Sequence, residues 1–318
     1  MSRIRLGIVM DPIDAIVPAK DSSLAMLLEA QRRGFELHYF EQANLRIANG
    51  IAHGTSRKLE VRDDLNDWYS LDAPADVRLG ELDVILMRKD PPFDTEYIYT
   101  TYILERAEEL GCLVINRPAA LRDINEKAFT AWFPQCCPDT LVTRSMDDMR
   151  SFLKDQSHIV VKPLHGMGGR SIFVIRRGDN NANVIIETLT DEGSRFAIAQ
   201  RYIPEITDGD KRILLVNGEP AADYALARVP PPDDNRGNLV MGALPEARPL
   251  TDRDRWICEQ VGPVLRQRGV VFAGLDVIGD YLTEVNVTSP TGIRELVKLA
   301  EVDVAASLMD AIEVQLGR

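Results

Sequence analysis

The sequence predicts an α/β protein that opens as a parallel sheet and closes in antiparallel hairpins. Three observations carry this. The first forty residues run strand, helix, strand: Ile4 to Val9 is apolar, Leu24, Leu27 and Leu28 mark one helical stripe, and Glu36 to Phe40 is a second strand-like run. After about Leu121 this alternation gives way to short strands parted by turns. Between two of them, Asn217-Gly218 is a strong hairpin signal.

The elements follow in order. Asp21-Ser22-Ser23 offers caps for the first helix, and Gly34 supplies its stop. Val84 to Met87 is a buried strand that ends in the rigid, polar turn Arg88-Lys89-Asp90-Pro91-Pro92. A helix is expected from Thr95 to Leu110, closed by Gly111, and Leu113 to Ile115 is one more strand. Ser145 caps a helix with Asp147 and Asp148 in its first turn, where carboxylates suit the helix dipole. Ile159 to Lys162 and Ile172 to Ile175 are strands around a glycine loop, and Ala197 to Gln200 is another. Lys211 to Val216 and Ala221 to Val229 form the expected hairpin. Arg228 to Pro249 is long, polar and rich in Pro, Gly and Asn, as a mobile lid or linker would be. Thr251 with Asp254 caps a helix reaching Arg268, Val271 to Val277 and Tyr281 to Val287 are strands, and Val302 to Leu316 is a terminal helix.

With 318 residues, two or three domains are expected. The 37 basic against 49 acidic side chains leave a net charge of −12, which argues against general nucleic-acid binding, since that needs a basic face. No apolar run approaches the roughly 20 residues a spanning helix needs, and the N-terminus lacks the pattern of a secretory signal. Cys112, Cys136, Cys137 and Cys258 form no C-x-x-C pair and read as reduced structural thiols of a cytoplasmic protein. The scattered histidines give no zinc motif.

Three clusters could carry chemistry. Lys162 ends a strand and is followed by Gly166-Met167-Gly168-Gly169, a loop whose backbone N–H groups can approach an anion; it matches neither a Walker A loop nor a dinucleotide fingerprint. Asp276, Glu284 and Asn286 interrupt apolar strands, and buried carboxylates are costly unless paired or metal-bound. Such oxygen donors suit Mg²⁺. Lys127, Arg212, Arg228 and Arg236 are basic groups that could converge on an anionic substrate, with Arg88 and Asp90 at a strand end as further candidates.

The chain resembles prokaryotic glutathione synthetase, an ATP-grasp ligase family. The likeness rests on Gly7 to Ile13, Asp21-Ser22-Ser23, Met26 to Gly34, Met87 to Glu96, Asn125-Glu126-Lys127, Lys162-Pro163, Gly166 to Gly169, Gly209 to Arg212, Arg236 to Leu239 and Thr283 to Thr291, which run nearly end to end. It implies an ATP-grasp fold: a Rossmann-like N-terminal domain (1–122), a small central lid (123–203) and a C-terminal α+β domain (204–318) with a mobile loop at 228–249. It implies ligation of γ-glutamylcysteine to glycine through an acyl phosphate, with ATP and Mg²⁺, Mn²⁺ being a possible substitute. By the likeness Lys127, Lys162 and Gly166, Met167, Gly168 and Gly169 hold nucleotide phosphates. Gln200, Arg201, Tyr202 and Ile203 line the adenine hinge, and Asp210 lies near the ribose. Asp276, Glu284 and Asn286 bind the metal. Arg212, Arg228 and Arg236 act on the reacting groups, while Arg88, Asp90, Arg212, Arg228, Asn286, Ser289, Pro290 and Thr291 hold the substrate. A homo-oligomer, tetrameric in this family, is implied, with no nucleic-acid or membrane partner. The chain departs from the family at Arg201, where Asn is expected, and at Ala243-Leu244, where the family has a Gly-Gly-Arg run.

Two alternatives stay open: an ATP-grasp ligase for another acceptor amine, and a nucleotide-binding regulator without turnover. One register is also at stake. A two-residue turn at Gly279-Asp280 pairs Ile278 with Tyr281 and so Asp276 with Thr283, which puts Asp276 and Glu284 on opposite faces. A shared metal site therefore requires a three-residue loop, or a bulge that shifts the register by one.

Overall fold

A computed structural model describes residues 3–166, 169–231 and 242–318. Strand β1 (Arg5–Val9) leads into helix α1 (Ser22–Arg32), whose N-cap Asp21 accepts the Leu24 N–H, and then into β2 (Glu36–Phe40). Next come β3 (Leu45–Ala48), β4 (Ile51–Val61), β5 (Tyr69–Leu71) and β6 (Ala75–Arg78), then β7 (Val84–Met87), α2 (Thr95–Glu109), β8 (Leu113–Ile115) and α3 (Pro118–Asp123). Strands β2, β1, β7 and β8 are parallel, as the opening pattern predicts. The antiparallel extension β3 to β6 was not legible. The inward positions of the first half of β4 are small residues, Ala52, Gly54 and Ser56, so its alternation there is invisible as hydrophobicity, and the buried positions change parity at Leu59 and Val61. The smallness is required, because a Cβ on Gly54 would lie 2.6 Å from the Phe40 ring.

The middle of the chain forms β9 (Thr140–Thr143), α4 (Met146–Gln156), β10 (His158–Pro163), β11 (Phe173–Arg176), α5 (Ala182–Thr190) and β12 (Ala197–Arg201). The strands make an antiparallel sheet in the order β11-β10-β12-β9, backed by the two helices. Ser145 caps α4 as expected, accepting from the Asp148 N–H. Helix α5 was not expected; its Val, Ile and Thr content reads as strand, and packing of Ile186 and Leu189 overrides that propensity.

The last sheet holds β13 (Asp210–Val216), β14 (Glu219–Pro220), β15 (Tyr224–Val229), β16 (Leu244–Pro249), β17 (Phe272–Ile278) and β18 (Tyr281–Asn286), with α6 (Asp252–Gln267), α7 (Ile293–Ala300) and α8 (Val304–Gln315). The turn Asn217-Gly218 joins β13 to β14, and after a bend the chain returns as β15 along the other half of β13. The expectation of a loop from Arg228 to Pro249 is corrected. Arg228 lies inside β15, and β16 pairs with it, Arg228 opposite Pro245, because alternate backbone groups of both segments complete one ladder. Residues 232–241, with Arg236, lie outside the described residues. So do Met167 and Gly168. One apolar core runs from β1 and α1 into Leu214, Val216, Leu308 and Met309, which joins the first sheet to the last. No helix among the described residues is long and apolar enough to cross a membrane.

Candidate active site

The register of β17 and β18 decides how the acidic residues meet. Ile278 pairs with Tyr281 and Val277 with Leu282, as a two-residue turn requires. The register then shifts, and Asp276 pairs with Glu284. Thr283 is the extra residue of the bulge, and its hydroxyl donates to the Asp276 carbonyl at 3.1 Å. Asp276, Glu284 and Asn286 all line one cavity of about 360 Å³ between the middle and last sheets.

Two lysines enter from the other side. Lys162, at the end of β10, stands 3.4 Å from the Glu284 carboxylate. Lys127 stands 3.8 Å from it and donates to the Gly166 carbonyl at 2.9 Å. Asn125 fixes this arrangement, accepting from the Lys127 and Ala128 N–H groups and donating to the Leu164 carbonyl. The glycine loop is thus tied at Leu164 and Gly166 to the segment that carries Lys127. Burial would raise the Glu284 carboxyl, but the two lysines outweigh it and hold it below its ordinary range.

Deeper in the cavity lies a four-charge cluster. Asp276 accepts from Arg212 Nε at 2.9 Å and Nη2 at 2.8 Å, and from Arg228 Nη2 at 2.9 Å. Arg228 also pairs with Asp210. Burial alone would raise the Asp276 carboxyl, and the two guanidiniums pull it far below normal. Asp210 shares one arginine with Asp276, and burial pushes its carboxyl up. Its Oδ1 is buried without a hydrogen-bond partner in the described residues.

The cavity's far end is the C-terminal end of β12. Gln200, Arg201, Tyr202 and Ile203 line it together with Val160, Ile172, Val174 and Ile206, an apolar slot fit for a flat ring. Tyr202 stacks on His158 with ring centroids 3.9 Å apart. Arg201, the departure from the family pattern, sits 4.9 Å over the Tyr281 ring. The opposite wall is Ser289, Pro290 and Thr291, with Arg212 Nη1 donating to Thr291 Oγ1 at 3.5 Å. Asp90 joins that wall, accepting from the Ser289 hydroxyl.

Most expected site residues therefore converge. Arg88 does not: it is buried behind the wall and is not among the lining residues, because its side chain turns to Ser23 and Pro290 instead. Neither Ala243 nor Leu244 lines the cavity; Ala243 is buried and Leu244 faces outward on β16. Glu126 was missed. It lines the cavity, accepts from Thr288 Oγ1 at 2.8 Å, and burial raises its carboxyl. Val160 and Val174 were missed as well. Period-two alternation from Lys162 was the available signal for Val160.

Residues 4–122 match the family described as prokaryotic glutathione synthetase, N-terminal domain, and residues 126–301 match prokaryotic glutathione synthetase, ATP-grasp domain. The chain belongs to the prokaryotic glutathione synthetase family. It is 56% identical over 315 residues to glutathione synthetase of Shewanella oneidensis, covering 99% of this chain and 100% of the relative. It is 56% identical over 313 residues to that of Escherichia coli K12, covering 98% and 99%. The same fold recurs at low identity in D-cycloserine synthetase DcsG, with a TM-score of 0.69 at 15% identity over 98% and 99% of the two chains. D-alanyl-alanine synthetase A of Vibrio cholerae gives 0.62 at 13% identity over the whole of both chains. These last two likenesses concern the fold, which is ATP-grasp.

Proposed function

We propose that this synthetase joins γ-glutamylcysteine to glycine with ATP inside the cleft between the middle and last sheets. The observation that carries the reading is the cavity itself: an apolar slot, two lysines, a carboxylate-rich floor and an arginine cluster lie along one 360 Å³ space. A carboxylate is a poor electrophile, and ATP converts it to an acyl phosphate that an amine can attack. The work left to the protein is positioning and charge stabilisation.

Each part has a role in that sequence. The slot beside Gln200 to Ile203 takes the adenine. Lys127 and Lys162 offer ammonium groups to the nucleotide phosphates, and the backbone at Gly166 and Gly169 covers them. Arg212 and Arg228 face the dipeptide carboxylate and the charge that develops on it, against the wall of Ser289, Pro290 and Thr291. The donor set fits Mg²⁺, for which Mn²⁺ is a chemical substitute. Glu284 spends only one oxygen on the lysines, and Asn286 donates its amide to the Gly274 carbonyl, which leaves its own oxygen unspent. When bound, the ion would neutralise phosphate charge. Glu284 and Asn286 would hold it, with Asp276 beside them. A cytoplasmic homo-oligomer, tetrameric by the family likeness, accompanies this reading, and sedimentation checks it.

Of the alternatives, another acceptor amine and a regulator without turnover, neither is favoured: relatives 56% identical over nearly the whole chain are glutathione synthetases. A coupled ADP-release assay tests the proposal. Turnover should require the divalent ion, γ-glutamylcysteine and glycine together. Equal release without the dipeptide, or faster release with another amino acid, would overturn it.

A further inference from the structure

Arg88 is a buried cation that does not line the site cavity, and its partners explain why it is kept. It follows β7 in the first sheet. Its Nε donates to Ser23 Oγ at 3.1 Å and its Nη2 donates to the Pro290 carbonyl at 3.0 Å, while the guanidinium lies 5.7 Å from the centre of the Phe272 ring. Its Nη1 is buried with no hydrogen-bond partner among the described residues. Burying a guanidinium this way is costly, so local packing alone does not account for it. The neighbours repeat the pattern. Ser22 Oγ accepts from the Gly292 and Ile293 N–H groups at 3.1 and 3.2 Å, and so caps α7 from another domain. Three side chains, Ser22 at the start of α1 and Arg88 and Asp90 just after β7, thus grip the segment that forms one wall of the cavity.

We infer that Arg88 is a positioning residue: from behind the cavity it holds the Pro290 carbonyl and so sets the wall from Ser289 to Thr291 against which the dipeptide binds. The inference rests on the functional reading above. It also says which substrate is affected. Thr291 meets Arg212, whereas Lys127 and Lys162 are anchored separately through Gly166 and Glu284. Loosening the wall therefore weakens the dipeptide and spares the nucleotide.

Arg88→Met, Arg88→Lys and Ser23→Ala are compared with the unaltered protein in steady-state kinetics and in amide hydrogen exchange. In Arg88→Met the KM for γ-glutamylcysteine should rise about 10- to 100-fold, the loss of a charged hydrogen bond, with the KM for ATP within about twofold. Arg88→Lys should rescue part of this, and Ser23→Ala should give a smaller rise of the same kind. Exchange at residues 288–293 should accelerate without any substrate present. If Arg88→Met fails to fold, the other two variants carry the same readouts. Unchanged exchange would overturn the inference. So would accelerated exchange with both KM values rising together, or with kcat alone falling. An unaltered protein whose turnover ignores γ-glutamylcysteine would overturn the functional reading instead, and exchange then decides the clamp.

Discussion

Asp276→Asn separates two roles for the residue at the centre of the site. In the structure Asp276 takes three hydrogen bonds from two guanidiniums, at 2.9, 2.8 and 2.9 Å, and its side chain is only 4% exposed. Arg212 and Arg228 then balance Asp276 and Asp210. Substitution removes one negative charge and leaves two buried arginines facing a single carboxylate. Breaking a buried pair by deleting one partner costs about 3–5 kcal/mol, because the remaining charge is left uncompensated. For a chain of 318 residues that corresponds to a melting temperature lower by about 4–8 °C. The assay is thermal unfolding in EDTA without nucleotide, so that neither metal nor ATP contributes. If Asp276 served the metal alone, removing a carboxylate from beside Asp210 and Glu284 would leave the apo protein as stable or make it more so. A melting temperature within about 2 °C of the unaltered protein would refute the ion-pair argument. Glu284→Gln is the contrast: its lysines stand at 3.4 and 3.8 Å, beyond strong hydrogen-bond distance, so the apo protein should lose less stability than it does in Asp276→Asn.

Other outcomes follow from single contacts. Asn116 donates to the Phe272 and Val287 carbonyls and accepts from the Val271 and Phe272 N–H groups, all buried, so Asn116→Ala should lower the equilibrium unfolding free energy by about 3–4 kcal/mol; an unchanged urea midpoint would count against it. A Cβ on Gly262 would lie 1.9 Å from the Gly218 carbonyl oxygen, so Gly262→Ala should shift the hairpin against α6 and depress the melting temperature by several degrees, about 2 kcal/mol or more; an unaltered melt would refute the close approach. All four cysteines are free and buried, and burial pushes the Cys112, Cys137 and Cys258 thiols up to about 12. Thiol reagents at pH 8 should label them only after unfolding. Because the unfolded thiols ionise first, their contribution lowers stability as pH rises from about 8.5 towards 12; rapid native labelling would contradict this.

Much of the local structure was legible because its causes are local. Asp21, Ser145 and Thr251 with Asp254 cap helices within three residues of themselves, and Glu36 to Phe40 is a strand from its own pattern. The demand that Asp276 and Glu284 share a face predicted a register shift, by a three-residue loop or a bulge, since side-chain direction alternates along a strand; the structure keeps the two-residue turn and makes the shift with a bulge at Thr283. The family likeness alone implies that the lysines, the glycine loop and the acidic trio share one site.

What only the tertiary structure decided is who answers whom across long separations. Arg88 reads as a ligand for substrate because it ends a strand; its partner is a carbonyl 202 residues away. Asp276 reads as a metal ligand, and its arginines lie 64 and 48 residues earlier; the Asn217-Gly218 signal pairs their two strands, but no local pattern places β17 beside them. Ser22 reads as a cap for its own helix and caps α7 instead. The small inward face of β4 hides a strand because its packing partner, Phe40, supplies the bulk. Caps, turns and periods are set by neighbours along the chain, so one sequence suffices for them. Ion pairs and close approaches are set by neighbours in space, and those exist only once the sheets have been brought together.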